Sequence, residues 1–363
     1  MPEPADLRAL LLGYGFAGGW IHDPLLRATP GLAVAGIVTR DPDRRALAGS
    51  RNPGARLFET AEAAFAHGGF DLAVIAVPNS SHLELTLQAL DHGLPVVVDK
   101  PLATTLEDGQ RILQAAEQAG VVVSVFHNRR WDGDFGTVRG LVDDGALGEV
   151  HRFTSRFDRW APGPTGWRDE AAGTGGGLLL DLGSHLVDQA LELFGPVRRV
   201  YAELDTRANG RASEDDVFLA LEHVCGVRSH LSASASQAEP GLRFHVTGDR
   251  AVYVKRGKDV QEERLLADEL PEPGVSGAEP RQRWGRLHNG VAAEPVETTV
   301  GDWTGFYRDL LAHLKGDGPN PVPVTDALAV LAVLDAARRS ATDGTAVEPV
   351  TATASDRMAG GVW

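Results

Sequence analysis

Short apolar runs alternate with helix-like stretches over the first third of the chain. The runs, rich in Val, Leu, Ile and Ala, lie at residues 7–12, 32–38, 72–77, 96–98 and 121–126. Amphipathic stretches at residues 81–92 and 104–119 lie between the later runs. Strands that are apolar on both faces and separated by helices are typical of a parallel sheet covered on both sides. Right-handed crossovers then predict an N-terminal Rossmann-like, doubly wound domain over residues 1–127.

The pattern changes to strict apolar–polar alternation after about His127. Alternating runs occur at residues 150–158 and 228–236, and further strand candidates at 197–204, 217–222, 242–247 and 251–254. They predict an open, largely antiparallel sheet with one buried face, in an α+β domain over residues 128–363. Flanking helices are predicted at 303–315 and 325–339, the last a candidate for packing back on the Rossmann domain. Residues 259–295, rich in Glu, Pro, Gly and Arg, predict a long loop.

Composition narrows the classes of partner. The chain has 363 residues and a formal net charge of −15, which argues against nucleic acid or an anionic membrane as the main partner. No stretch approaches 18 uninterrupted apolar residues, and the acidic, proline-containing start does not resemble a signal peptide, so we expect a cytoplasmic protein. The single cysteine, Cys225, can form neither an internal disulfide nor a paired metal site. The wide one-sided sheet predicts a homo-oligomer, a dimer or a tetramer, that covers its outer face.

A glycine-rich turn follows the first strand. It reads Gly13-Tyr14-Gly15-Phe16-Ala17-Gly18 and leads into a helix. The first glycine permits the tight turn, the second lets a pyrophosphate approach the backbone, and the third lets helix and strand pack closely. Because the chain contains 42 glycines, the motif is weak by itself. Its place between a strand and a helix predicts dinucleotide binding, with the alternative of a merely tight turn.

The tip of the second strand indicates which dinucleotide is bound. NAD-binding domains usually carry an acidic residue there, about 20 residues beyond the glycines. This chain has Thr39 and Arg40 instead, which suit a 2′-phosphate, while Asp41 is assigned to the next turn. We therefore expect NADP, with NAD possible. The alternative is that Arg40 is an ordinary surface arginine.

Two further strand ends carry polar residues toward the expected cleft. Val77, Pro78 and Asn79 follow the 72–77 run and are predicted to contact the cofactor, as is His82, although a role at the helix start is favoured for this histidine. Asp99-Lys100-Pro101 follows the next run. Asp99 and Lys100 are predicted to contact the cofactor, and Lys100 is also a candidate to stabilise negative charge on a substrate oxygen. A salt-bridged surface lysine is the alternative.

A glycine run in the second domain leads into the segment Asp181-Leu182-Gly183-Ser184-His185. Asp181 and His185 are four residues apart on a predicted helix and so share a face. Histidine titrates near neutral pH and can accept the proton of an alcohol. A core histidine and half of a metal site are the alternatives, but no further metal ligands occur at a recognisable spacing, so no metal is expected.

Together these motifs resemble the glucose–fructose oxidoreductase / inositol dehydrogenase / rhizopine-catabolism (Gfo/Idh/MocA) family over nearly the whole chain. One departure is Asp99, where the family usually has Glu. The chain is most similar to NADP-dependent scyllo-inositol dehydrogenases, on the segments at residues 127–135, 166–168, 181–189 and 255–262. The resemblance implies that Lys100, Asp181 and His185 are catalytic. It also implies that the substrate is a polyol or sugar. The residues implied to line its binding site are Asp181, His185, Arg129, Trp131, Trp167 and Arg168.

The implied reaction is hydride transfer between NADP(H) and a secondary alcohol or ketone of a cyclitol or sugar. Three alternatives remain open at this point. One is a lyase or glycosidase that holds NAD tightly and uses it transiently. Another is a non-catalytic dinucleotide-sensing regulator. The third is a dehydrogenase with the same catalytic residues that acts on an amino- or keto-sugar nucleotide.

Overall fold

The computed structural model describes residues 6–161 and 175–350. In the N-terminal half the strands are β1 Leu7–Leu12, β2 Leu32–Val38, β3 Arg56–Phe58, β4 Leu72–Ile75, β5 Val96–Asp99 and β6 Val123–Phe126. The helices are α1 Asp23–Ala28, preceded by a π-helical turn at Ala17–His22, then α2 Pro42–Arg51, α3 Ala61–His67, α4 His82–Asp91 and α5 Leu106–Ala119.

These strands form the predicted parallel sheet, in the order β3-β2-β1-β4-β5-β6. The order reverses between β1 and β4, and the crevice at the carboxyl ends of these two strands is where such sheets bind ligands. Residues 72–75 of β4 are buried throughout, as expected for a strand covered on both faces. Strand β3 lies at the edge and has only three residues, too few to give a recognisable hydrophobic period.

The second half begins with α6 Gly133–Asp143 and β7 Val150–Asp158, followed after the undescribed segment by a π-helical turn at Leu179–Gly183 and α7 Ser184–Phe194. The strands that follow are β8 Val197–Asp205, β9 Asp216–His223, β10 Arg228–Ser234, β11 Phe244–Gly248 and β12 Val252–Lys255. The chain continues through α8 Gln261–Leu266, β13 Gly285–His288, β14 Ala293–Val296, α9 Thr304–Leu314 and α10 Val324–Asp343.

The second sheet has the strand order β14-β13-β12-β11-β7-β10-β9-β8, and its described neighbours are antiparallel except β7 and β10. The predicted, largely antiparallel sheet is therefore confirmed. Alternate residues of β9 are buried, as expected for a sheet with one covered face. Helices α7 and α10 pack on this sheet, and α10 also packs on α5 of the first domain.

The prediction of a long loop over residues 259–295 is wrong. This segment contains α8 and the two strands β13 and β14, which extend the second sheet beyond β12. A fully buried ion pair, 3.0 Å from Lys255 Nζ to Glu279 Oε2, ties the segment to the end of β12. Four-residue strands are too short to show a period, and their pairing depends on β12, so local sequence could not reveal them. Among the helices of residues 6–161 and 175–350, none is long and apolar enough to span a bilayer.

Candidate active site

The glycine turn lines a large cleft between the two sheets. Gly13 has φ +95°, and a Cβ atom there would collide with the carbonyl oxygen of Ala76. A Cβ atom at Gly18 would likewise collide with the carbonyl of Gly13, so these two glycines allow the turn and the helix to pack. At Gly15 the closest other atom to such a Cβ is Nη1 of Arg44, at 3.7 Å. Gly15, Phe16 and Ala17 line the cleft, where the backbone is open to a phosphate group.

The tip of β2 also lines the cleft. Thr39 is buried, Arg40 is exposed, and both are among the lining residues. Asp41 caps α2 by accepting a hydrogen bond from the Arg44 backbone N–H, at 2.9 Å, which agrees with its assignment to the next turn. Arg44 lines the cleft as well and was missed by the sequence reasoning. Its place in the first turn of the helix after β2 was a usable signal, because that turn faces the same crevice.

The segment after β4 divides into a part that faces the cleft and a part that does not. Val77, Pro78 and Asn79 line the cleft, and the Asn79 amide Nδ2 donates to the backbone carbonyl of Gly175 at 2.8 Å. His82 is fully buried and is not among the lining residues. Its ring nitrogens lie 2.8 Å from the Pro101 carbonyl oxygen and 3.0 Å from that of Val77. The expectation that His82 contacts the cofactor is therefore corrected: this histidine holds two cleft-forming segments together.

Lys100 bridges the two halves of the molecule. Its Nζ lies 2.8 Å from the backbone oxygen and 3.0 Å from the Oδ1 of Asp181, which belongs to the π-helical turn before α7. Both side chains are largely buried yet line the cleft. The charged ammonium group thus faces the space in which a substrate oxygen would lie.

His185 is one helical turn beyond Asp181, is 5% exposed, and lines the cleft. Burial, reinforced by the positive charges of Lys100 and Arg129, lowers the pKa of His185 well below the ordinary histidine value. The imidazole is therefore neutral at pH 7 and able to accept a proton. Its Nδ1 is buried and has no hydrogen-bond partner within the part of the chain that the structure describes.

Asp99 lines the cleft beside Lys100 and is backed by two buried aromatic side chains. Its Oδ1 accepts a hydrogen bond from the Lys100 backbone N–H at 2.8 Å and lies 3.9 Å from Nε2 of His22. The Nδ1 atom of His22 lies 2.6 Å from the Tyr307 hydroxyl. Burial raises the pKa of Asp99, but His22 and the charge of Lys100 outweigh this effect and lower it. Asp99 is thus an anion next to the catalytic candidate Lys100.

Of the residues Arg129, Trp131, Trp167 and Arg168, all expected to line the substrate site, Arg129 lines the cleft. Its guanidinium pairs with Glu262 at 2.6 Å and with Asp132 at 3.3 Å. Trp131 is half-buried and is not among the lining residues; its ring packs edge-on against Phe306, 5.6 Å between centroids. Trp131 therefore has a packing role in this structure, and the expectation that it lines the substrate site is corrected. Trp167 and Arg168 lie outside the described residues.

Three lining residues at the same end of the cleft escaped the sequence reasoning: Arg159, Glu262 and Trp303. Arg159 directly follows β7 and lies 3.3 Å, Nη2 to Oδ2, from Asp181. Its position at the end of an alternating strand was the available signal. Glu262 lies in α8, within the segment expected to be a loop, and Trp303 precedes α9. No local pattern marks these two, because only the packing of α8 brings them to the cleft.

The cleft has a volume of about 1130 Å³. Pockets for single small molecules span roughly 300–1,000 Å³, so the space suits a dinucleotide together with a second molecule. The glycine turn lies at one end, and Lys100, Asp181 and His185 lie at the other. Within residues 6–161 and 175–350 no group of three or more His, Cys, Asp or Glu side chains is arranged to hold a metal ion.

Two family models match the chain. The "oxidoreductase family, NAD-binding Rossmann fold" matches residues 7–127, and the "GFO/IDH/MocA C-terminal domain" matches residues 135–254. The oxidoreductase YdgJ of Escherichia coli K12 is 36% identical over 93% of this chain and 96% of its own length.

Bacillus subtilis IolW, a scyllo-inositol 2-dehydrogenase (NADP(+)), is 29% identical over 91% of this chain and 92% of its own length. The crystal structure of an oxidoreductase from Klebsiella pneumoniae superposes with a TM-score of 0.87 at 35% identity, covering 98% of this chain and 97% of that one. The matched domains, the parallel sheet with its glycine turn and the largely antiparallel second sheet identify this chain as a member of the GFO/IDH/MocA family of oxidoreductases.

Proposed function

We propose that this oxidoreductase transfers a hydride between NADP(H) and a secondary alcohol or ketone of a cyclitol or sugar. The observation that carries the proposal is the meeting of Lys100, Asp181 and His185 at one end of the cleft that begins at the glycine turn. These residues come from both halves of the molecule, so a substrate between the domains would contact all three. A dinucleotide sensor would not need such a group.

NADP is favoured over NAD by the charges at the tip of β2. Arg40 and Arg44 both line the cleft there, and guanidinium groups suit a 2′-phosphate. The acidic residue at this tip, Asp41, is engaged as the cap of α2. The relative IolW is named as an NADP(+)-dependent enzyme, which supports the same choice.

In alcohol oxidation the substrate carbon loses a hydride and its hydroxyl loses a proton. The nicotinamide ring, when bound, supplies the hydride acceptor. His185 takes the hydroxyl proton, since burial keeps its imidazole neutral. Lys100 donates a hydrogen bond to the same oxygen and stabilises the charge that develops on it. Asp181 fixes the Lys100 ammonium group through two hydrogen bonds. In ketone reduction His185 returns the proton.

A polyhydroxylated substrate suits the walls of this end of the cleft. Arg129 and Glu262 offer a paired donor and acceptor. Charged groups of this kind bind hydroxyls. The name of IolW, an enzyme for a cyclitol, supports this substrate class.

We also propose that a second copy of the chain covers the outer face of the second sheet. Phe218 and His230 lie on that face, are partly exposed, and have ring centroids 6.1 Å apart. A sheet this wide with aromatic side chains in its bare face favours self-association. Light scattering should give the mass of a dimer or tetramer, and a monomer at micromolar concentration would refute this arrangement.

The decisive experiment is a screen for NADP⁺ reduction, followed by absorbance, across inositols, aldoses and their lactones. Turnover with a polyol that is lost in both Lys100→Ala and His185→Ala, with NADPH affinity retained, is the expected result. Wild-type turnover in both variants would refute the assignment. NAD that co-purifies with the protein, with no net turnover, would instead indicate a redox lyase or glycosidase.

A further inference from the structure

Arg159 is held in the cleft by the sheet itself. Its backbone N–H donates to the Ser234 carbonyl at 2.9 Å, and its own carbonyl accepts from the Gln237 N–H at 3.2 Å. The next residue, Trp160, forms a bridge with Ser236. This antiparallel bridge lies just beyond the parallel pairing of β7 with β10. The guanidinium group is therefore positioned by a rigid element, as a recognition residue requires.

The side chain of Arg159 faces Lys100, Asp181 and His185, but only one of its nitrogen atoms contacts this group. Its Nη2 lies 3.3 Å from Asp181 Oδ2, a long hydrogen bond, while Lys100 holds the other carboxylate oxygen at 3.0 Å. Its Nε atom is buried and has no hydrogen-bond partner among the described residues. The side chain as a whole is 38% exposed, so a ligand in the cleft can reach it. A buried donor without a partner is unfavourable, and a bound acceptor would satisfy it.

The other cations at this end of the cleft already have short contacts. Lys100 Nζ has two oxygens of Asp181 within 3.0 Å. Arg129 has Glu262 at 2.6 Å and Asp132 at 3.3 Å. The Nε atom of Arg129 is also buried without a partner among the described residues, but the Arg129 side chain is 9% exposed, against 38% for Arg159. Arg159 is therefore the guanidinium group that a ligand in the cleft can reach, and guanidinium groups bind carboxylates.

We propose that the substrate is a polyhydroxy acid whose carboxylate accepts a hydrogen bond from Arg159 while one of its hydroxyl groups reacts between Lys100 and His185. This inference rests on the proposed function, because it places the reacting carbon next to that catalytic pair. It narrows the substrate from sugars and cyclitols in general to aldonates and uronates.

The test compares acids with neutral partners of the same configuration: D-gluconate with D-glucitol, D-glucuronate with D-glucose, and the corresponding pentose pairs. The kcat/KM of each is measured for the wild type, Arg159→Ala and Arg159→Lys. Arg152→Ala is the matched control, since Arg152 is an exposed arginine of β7, the strand that Arg159 directly follows. We expect the wild type to prefer an acid. Arg159→Ala should lower kcat/KM for that acid roughly 10- to 100-fold, mainly through KM, and for its neutral partner by far less.

Arg159→Lys keeps the positive charge but loses the forked arrangement of guanidinium donors. It should therefore retain only part of the preference for an acid over its neutral partner. Arg152→Ala should behave as the wild type. A wild type that prefers the neutral partners, or an Arg159→Ala variant that loses activity equally on both members of a pair, would overturn the inference. The second result would assign Arg159 to the positioning of Asp181.

Calorimetric titration of the acids into NADPH-loaded protein separates this inference from the proposed reaction. Binding that disappears in Arg159→Ala, with no turnover of any compound, would support the carboxylate site and refute the dehydrogenase reaction. Turnover of neutral polyols, with no binding of any acid, would do the reverse.

Discussion

Lys100 and Asp181 are 81 residues apart in the chain, and their side chains meet at 3.0 Å, Nζ to Oδ1. The lysine directly follows β5 of the parallel sheet, and the aspartate lies in the π-helical turn before α7. Both are largely buried, so water screens their interaction less than it would at the surface. The pair therefore links the two halves of the molecule at the site where a substrate would bind.

Removing the Lys100 ammonium group should affect chemistry more than cofactor binding. We expect Lys100→Met to lower kcat roughly 10²- to 10³-fold, because a preorganised donor to the reacting oxygen is lost. The NADPH dissociation constant, measured by fluorescence, should change by less than about threefold, because a tenfold change would require about 1.4 kcal/mol of lost binding free energy. The control is Lys315→Met, an exposed lysine after α9, which should retain full activity. A Lys100→Met enzyme with an unchanged kcat would contradict the assignment.

The lowered pKa of His185 predicts the pH dependence of alcohol oxidation. A base with a pKa below the ordinary value of 6.5 stays neutral as the pH falls through 6.5. We therefore expect kcat/KM to stay level between about pH 7.5 and 6.5 and to fall only at lower pH. His185→Asn should lose roughly 10²- to 10⁴-fold in rate and should also lose this acidic limb. An acidic limb centred above pH 6.5 in the wild type would contradict the role of a buried imidazole.

Arg40 and Arg44 should discriminate between the two dinucleotides. Each single alanine variant should weaken NADPH binding by roughly 10- to 100-fold, the usual size of a charge-assisted contact. NADH lacks the 2′-phosphate, so its affinity should hardly change. Fluorescence titration of both cofactors gives the ratio directly. Tighter binding of NADH than NADPH by the wild type would refute the proposed preference.

Two substitutions in the glycine turn should have different effects, one on cofactor binding and the other on folding stability. At Gly15 a Cβ atom makes only an ordinary contact with Arg44, so Gly15→Ala should fold normally. The added methyl group would lie where the phosphate approaches the backbone, so the affinity for NADPH should fall at least about tenfold, or by about 1.4 kcal/mol. At Gly18 a Cβ atom collides with the Gly13 carbonyl, so Gly18→Ala should lower the free energy of unfolding by about 1–3 kcal/mol.

Gly140 of α6 serves as the control for these glycine variants. Nothing lies within 4 Å of a Cβ there, and Gly140→Ala should stabilise the helix by about 0.5–1 kcal/mol. Urea denaturation measures all three variants. Equal loss of stability in Gly15→Ala and Gly18→Ala would contradict the separate roles.

The 3.9 Å gap between His22 Nε2 and Asp99 Oδ1 predicts the effect of a longer side chain. Asp99→Glu adds one carbon–carbon bond of about 1.5 Å, enough to bring the carboxylate within hydrogen-bond distance of His22. The buried Nε2 has no partner among the residues described, so the new bond should raise the free energy of unfolding by about 1 kcal/mol. In a His22→Phe background the same change should give no gain. A gain in both backgrounds would show that the stabilisation has another origin.

The fold could be predicted to the extent that each element carries its own pattern. The apolar runs at 7–12 and 32–38 and the alternation at 150–158 each span several residues, and the structure confirms them as β1, β2 and β7. Strands β3, β13 and β14 have three or four residues, fewer than a period needs. They exist because neighbouring strands supply their hydrogen-bond partners.

The sequence by itself determined the residue types of the site and their order: the glycine turn, Thr39 and Arg40, Lys100, and the Asp181–His185 spacing. Such motifs are local, because turn geometry and helical spacing act over a few residues. Only the tertiary structure decided which side chains face the cleft. It buried His82 between two carbonyls, packed Trp131 against Phe306, and brought Arg159 and Glu262 in from distant segments. Those outcomes depend on how two sheets and α8 pack together, and no short stretch of sequence encodes that relationship.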